Sequence, residues 1–205
     1  MKAEKAGIAS NPSCKHISVM SVLTAHRFTV DEFYRMVEIG VIPPQTRVEL
    51  IEGQIIDMLP IGPFHSGILN ELAEIFTLAA DAKWIVTVQS PLRLDEQTAP
   101  QPDLMLLRPP HSQYRHAHPT PEDVLLLIEV ADSSLTYDRA TKLPQYARAN
   151  VAEVWIVNLP ERKVEIHREP DFGAYQSTES RQPGEQITPA ACPKAVISIG
   201  DLLGK

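Results

Sequence analysis

Two uninterrupted aliphatic runs, Leu104-Met105-Leu106-Leu107 and Val124-Leu125-Leu126-Leu127-Ile128, constrain this chain more than any other feature. Each is the length of a strand and lacks the alternation of a half-solvated one, so each suits a strand buried on both faces. Each also abuts a carboxylate: Pro102-Asp103 opens the first run and Glu129 closes the second. A carboxylate at the end of a buried strand has lost water and must be paired, hydrogen-bonded or bound to metal. Two of them on neighbouring strands, with Lys142 on the helical stretch that follows, can form a hard-cation site with a cationic helper.

The other elements follow in order. Residues 1–25 are polar and aperiodic and read as a loose tail, leaving 26–205 as a single domain. Thr29 with Glu32 three residues on is a capping box, Phe28 and Phe33 can staple it, and Gly40 with Pro43-Pro44 ends the helix. Arg47–Ile51 and Gln54–Met58 flank Glu52-Gly53, a strong hairpin signal. Ile68, Leu72, Ile75, Phe76 and Ala79 make one stripe of a helix over 64–80. Strands are expected at Trp84–Val88 and, short, at Leu92–Leu94. Pro109–Asp123, with four prolines and His111, His116 and His118, reads as an exposed loop whose histidines are solvated. A third helix is expected over Tyr137–Ala149, starting near or bending at Pro144, with Leu143, Tyr146 and Ala147 inward. Val154–Val157 reads as a buried strand with Trp155 in the core, Lys163–His167 and the stretch around Tyr175 as half-exposed, and Ile197–Leu203 as ending in a short helix. The order implies an α/β fold, one mixed sheet flanked by helices.

Composition excludes several classes. At 205 residues, with 43% hydrophobic and 22% charged residues, the chain can bury its own core without staples. No apolar run approaches the roughly 20 residues needed to span a bilayer, and the first residues lack the apolar core of a secretory signal, so the expectation is no membrane partner and a cytoplasmic protein. Cys14 and Cys192 stand far apart without zinc-type spacing, which argues against a disulfide framework. A net charge of −7 without a basic block argues against a broad nucleic-acid-binding face, though not against a small local groove.

Glu49 in Val-Glu-Leu-Ile-Glu-Gly, His65 opening a helix, Pro102-Asp103, Ile128-Glu129-Val130, Lys142-Leu-Pro-Gln-Tyr-Ala-Arg148 and Glu153–Val157 together resemble the Uma-two family of restriction endonucleases, a bacterial branch of the PD-(D/E)xK nuclease superfamily. The likeness runs over roughly Thr29 to Glu169 and implies the restriction-endonuclease-like fold, a central mixed sheet of four or five strands between helices, often as a homodimer. In the simplest superfamily motif the third residue of Glu129-Val130-Ala131 is lysine. Here it is Ala131, and Lys142 matches the position to which this branch has moved the lysine. Asp132 replaces a proline common among relatives, and whether it binds metal or caps the following helix stays open.

The resemblance implies a metal-dependent endonuclease acting on DNA. Asp103 and Glu129 would hold Mg²⁺ or Mn²⁺ with the Val130 carbonyl, Glu49 would support the metal directly or through water, and Lys142 would activate or position the attacking water or stabilise charge on phosphorus. His65 is a supporting candidate. Plainer readings exist for each: Glu129 capping a helix, Lys142 in a surface pair with Asp138, Glu49 as an edge charge, Glu52 as a turn residue. Two rival functions also stand beside the nuclease: an inactive nuclease fold serving as a nucleic-acid-binding or scaffold module, and a metal-dependent hydrolase of something other than DNA. A concave site with Arg or Lys on its rim would favour the nuclease, a flat acidic surface the scaffold, and a closed pocket the third.

Overall fold

The structure, a computed structural model, describes residues 24–204, so nearly all of the expected tail lies outside the described residues. Helix α1 (Val30–Glu38) starts at Thr29, where the capping box with Glu32 forms, and Gly40 past its end adopts a φ of +77°. Strands β1 (Val48–Ile51) and β2 (Gln54–Asp57) pair antiparallel around Glu52 and Gly53, whose φ values of +48° and +71° give the two-residue turn that suits strand twist. Gly53 is required twice over, because a Cβ there would stand 2.7 Å from the Cβ of Arg27. Helix α2 (Pro63–Ala79) follows, with Ile68, Leu69, Leu72 and Phe76 buried.

Six strands make the central sheet: β3 (Ile85–Val88), β4 (Leu104–Leu107), β5 (Val124–Ala131), β6 (Glu153–Asn158), β7 (Lys163–Asp171) and β8 (Ala174–Arg181), hydrogen-bonded in that order. Only the β5–β6 pair is parallel; the sheet is thus mixed, with one strand more than the resemblance implied. Between β5 and β6 lies a helical stretch of α3 (Leu135–Tyr137), a π-turn (Asp138–Lys142) and α4 (Leu143–Arg148). Leu143 N–H donates to the carbonyl of Asp138, five residues back, just before Pro144, which has no N–H to continue the ladder. The tail carries a small pair, β9 (Gln186–Ile187) and β10 (Ile197–Ser198), and then α5 (Ile199–Leu203).

The core lies on both faces of the sheet. Leu104, Leu106, Leu126, Ile128, Trp155 and Ile166 meet α2 and α5 on one side, while Met105, Leu107, Leu127 and Val154 meet Tyr146 and Leu143 on the other. A third cluster joins α1 to the hairpin through Val30, Phe33, Val48 and Leu50. Burying each such aliphatic side chain contributes about 1.5–3 kcal/mol, which is why the strands without alternation occupy the middle of the sheet.

Two expectations need correction. Leu92–Leu94 forms no strand: Leu92 and Leu94 donate to the carbonyls of Pro100 and Thr98 in a loop, and Pro91 and Pro100 have no N–H to extend a ladder. Val164–His167 is buried on both faces, since Val164 and Ile166 enter the core and the helical stretch supplies Arg139 over Glu165. The loop Pro109–Asp123 is largely exposed, as expected, with His111, His116 and His118 all exposed; it carries two 3₁₀ turns, His111–Arg115 and Pro121–Asp123, and His118 stacks on Tyr34. Among the described residues no helix is long and apolar enough to cross a membrane.

Candidate active site

Sheet register sets the site. Leu104 faces Ile128 across the antiparallel β4–β5 pair, so Asp103, one residue before β4, falls beside Glu129 near the end of β5. Both lie on the sheet face that α4 covers, because they alternate with Leu104 and Ile128, which belong to the opposite face. Asp103 accepts from the Val130 amide at 2.9 Å, and its own amide lies 3.4 Å from Glu129 Oε2. Val130 otherwise turns its side chain into the core.

The hairpin brings a third carboxylate. Val48 and Leu50 face α1, so Glu49 between them turns the other way. Its carboxylate accepts from the Gln101 amide and the Tyr137 hydroxyl, both at 3.0 Å. Glu52 at the turn accepts from Gln145 and Arg148 of α4, which ties the Glu49 strand to the helix that follows Lys142.

Lys142, at the end of the π-turn, sits between these carboxylates, its Nζ 3.1 Å from Glu129 Oε1 and 3.3 Å from Glu49 Oε2. It is 5% exposed, so the surface pair with Asp138 does not describe it; Asp138 is buried too and accepts instead from the Ser134 hydroxyl. Tyr146, four residues after Lys142 on the same helix face, donates to Glu129 Oε1 at 2.5 Å. His65, in the first turn of α2, places Nε2 3.1 Å from Asp103 Oδ1.

The electrostatics are those of crowded buried acids. Burial, then Asp138 and Asp103, raise the Glu129 carboxyl well above the usual carboxylate range, with Lys142 opposing. Burial likewise raises Asp138. Asp103 is also penalised by burial, yet His65 and the Val130 amide hold it below its ordinary value. Burial alone would lower Lys142, but Glu129, Glu49 and Asp138 outweigh it and keep the ammonium charged. Four buried carboxyl groups thus face one lysine, and a hard divalent cation would offset the excess negative charge.

The donor set fits such a cation in kind, being oxygen throughout. Among the described residues, however, no three acidic or histidine side chains converge in a ready-made metal cage, and Lys142 occupies the space between Glu49 and Glu129.

Glu49, His65, Asp103, Glu129 and Lys142 all line one cavity of about 310 Å³. Asp132 lines it as well, exposed, whereas His111, His116 and His118 do not. In the sequence Asp138 stands only as a surface partner of Lys142, and no site role attaches to Tyr137, Arg47 or the hydroxyl of Tyr146, which reads as core alone. The four-residue spacing of Lys142 and Tyr146 was the available signal for the last.

Comparison with known proteins bears on the family and the fold. The family model described as "Uma2: Putative restriction endonuclease" matches residues 30–200. A solved structure, titled a putative nuclease belonging to DUF820 from Anabaena variabilis ATCC 29413, superposes with a TM-score of 0.68 at 20% identity, covering 86% of this chain and 97% of that one. At that identity it shows a shared fold. No curated protein matches the chain.

Proposed function

This chain belongs to the Uma2 family, and from that membership we propose that it is a metal-dependent endonuclease hydrolysing nucleic-acid phosphodiester bonds. The observation that carries the reading is the meeting of Glu49, Asp103, Glu129 and Lys142 in one concave cavity with Arg47 on its lining. Asp103 and Glu129 would hold Mg²⁺ or Mn²⁺, with the Val130 carbonyl as a further ligand and Glu49 in support. A divalent cation there supplies a Lewis acid that polarises the phosphoryl oxygen and lowers the pKa of bound water.

The chain's own residues divide the remaining work. Lys142 is held protonated, so it acts as a hydrogen-bond donor and fixed positive charge toward the attacking water or a non-bridging oxygen, and not as a base. Tyr146 and Tyr137 fix the carboxylates of Glu129 and Glu49, and His65 fixes that of Asp103. Cleavage would leave a 3′-hydroxyl.

Incubation of the protein with Mn²⁺ and a panel of plasmid, duplex and single-stranded DNA tests the proposal. The expected result is cleavage that a chelator abolishes, with 3′ ends that a polymerase can extend. Lys142→Ala should lower the rate about 10²–10³-fold, the usual cost of one such stabilising donor. Cleavage that persists in chelator, or is indifferent to both Glu129→Gln and Lys142→Ala, would overturn it.

A further inference from the structure

Beside its carboxylates the cavity has an apolar lining. Ile56, Met58, Leu59, Pro60 and Ile61 form it, and Leu59 and Ile61 remain 57% and 38% exposed. Ile56 belongs to β2 and is paired in register with Glu49, while Met58, Leu59, Pro60 and Ile61 form the segment between the hairpin and α2. The apolar lining and the acids thus share one cavity. Apolar side chains exposed at this density are poor partners for the charged outside of a closed duplex. They suit the face of an unstacked base, the surface that leucine, isoleucine, methionine and proline meet when they wedge between base steps.

The cation inventory points the same way. Among the described residues, every arginine and lysine except Arg47, Lys83, Arg115 and Lys194 is engaged by a carboxylate or a carbonyl. Of these four only Arg47 lines the cavity, and it is exposed. A protein that grips a duplex typically neutralises roughly 6–10 phosphates. One free arginine on the cavity lining falls short of that, which favours a share of the affinity coming from contact with the base itself. The cavity volume of about 310 Å³ sits at the small end of the roughly 300–1,000 Å³ range of small-ligand pockets, a size for one nucleotide unit and not for a paired helix.

We propose that the site takes an unpaired strand: one nucleotide lies against Leu59 and Ile61, with Arg47 on a phosphate flanking the one presented to Asp103 and Glu129. The inference rests on the nuclease reading and deepens it by naming the substrate as single-stranded or frayed nucleic acid.

The test is fluorescence anisotropy of the full chain in Ca²⁺, with a fluorescein-labelled twelve-residue oligothymidylate and a blunt DNA hairpin carrying the same label. Mn²⁺ calorimetry on the same preparation accompanies it. The expected result is at least about tenfold tighter binding of the single strand, a difference of about 1.4 kcal/mol. Leu59→Ser with Ile61→Ser should reduce single-strand binding at least about fivefold, and Arg47→Ala should weaken both probes. Leu59 and Ile61 are surface residues, so the fold should tolerate these changes.

Equal or tighter binding of the hairpin, single-strand binding indifferent to residues 59 and 61, or neither probe bound, overturns the inference and leaves the nuclease reading standing if Mn²⁺ still binds. If the double substitution instead converts a dimer to a monomer without touching oligothymidylate affinity, the apolar wall is a subunit contact, and the inference is again overturned. Absence of both DNA and Mn²⁺ binding removes the nuclease reading and this inference with it.

Discussion

Replacing Lys142 with methionine removes the one buried cation among Glu49, Asp103, Glu129 and Asp138 while keeping most of the side-chain volume. Its Nζ lies 3.1 Å and 3.3 Å from two carboxylate oxygens. At an effective dielectric of about 20, each contact corresponds to about 5 kcal/mol of attraction. Much of that offsets the cost of removing three charged groups from water, so the pair is not worth its Coulomb energy. The relevant quantity is what remains when one partner is deleted and the others stay buried, which is about 3–5 kcal/mol. For a chain of this size that lowers Tm by roughly 6–20 °C. Urea and thermal unfolding in chelator measure it. Glu129→Gln in the same background should recover part of the loss, giving a coupling of about 0.5–3 kcal/mol in a double-mutant cycle. Saturating Mn²⁺ should stabilise the methionine variant by about 2.7 kcal/mol at a hundredfold excess over Kd. A loss below about 1 kcal/mol, or a cycle additive within about 0.5 kcal/mol, would refute the view that Lys142 neutralises the acids.

Three further outcomes follow from the same structure. Tyr146→Phe keeps the buried ring and deletes the 2.5 Å hydrogen bond to Glu129, so it should cost about 1.5–3 kcal/mol in urea unfolding at pH 8, where a change under about 0.5 kcal/mol would contradict the bond. Gly53→Ala should cost about 2 kcal/mol or more in the same assay, because the φ of +71° is strained for alanine and its Cβ would meet Arg27 Cβ at 2.7 Å. Burial and Glu153 push the Cys192 thiol up to about 11. Its raised folded value means that stability from the neutral thiol is present below the unfolded pKa near 9 and is lost as pH rises from there toward 11. At pH 8.5 iodoacetamide should therefore label Cys192 about two orders of magnitude more slowly in the folded than in the urea-unfolded protein, and equal rates would contradict its burial.

Much of this fold was legible because local and global signals agree. The capping box at Thr29 and Glu32, the Glu52-Gly53 turn and the buried runs of β4 and β5 each specify geometry within a few residues. The site was legible in part for the same reason: a carboxylate beside a fully aliphatic strand is costly enough to stand out. What stayed hidden depends on contacts distant in sequence. Lys163–His167 alternates like a half-exposed strand; Val164 and Ile166 enter the core, while the other face is covered by Arg139 over Glu165 and by Thr178 and Tyr175 beside His167. Leu92–Leu94 has strand composition, but prolines at 91 and 100 leave it without a ladder. The hydroxyls of Tyr146 and Tyr137 reach carboxylates 17 and 88 residues away in sequence, and nothing in local pattern separates such a tyrosine from a purely apolar one. The apolar segment before α2 reads as an ordinary loop until the cavity it lines is seen.

The central claim is that Asp103 and Glu129 form a metal site, and isothermal calorimetry with Mn²⁺ tests it most directly. The expected result is saturable binding to the wild-type protein that both Asp103→Asn and Glu129→Gln abolish, each variant remaining folded by circular dichroism. No binding to the folded wild-type protein, or binding that survives both substitutions, would contradict it.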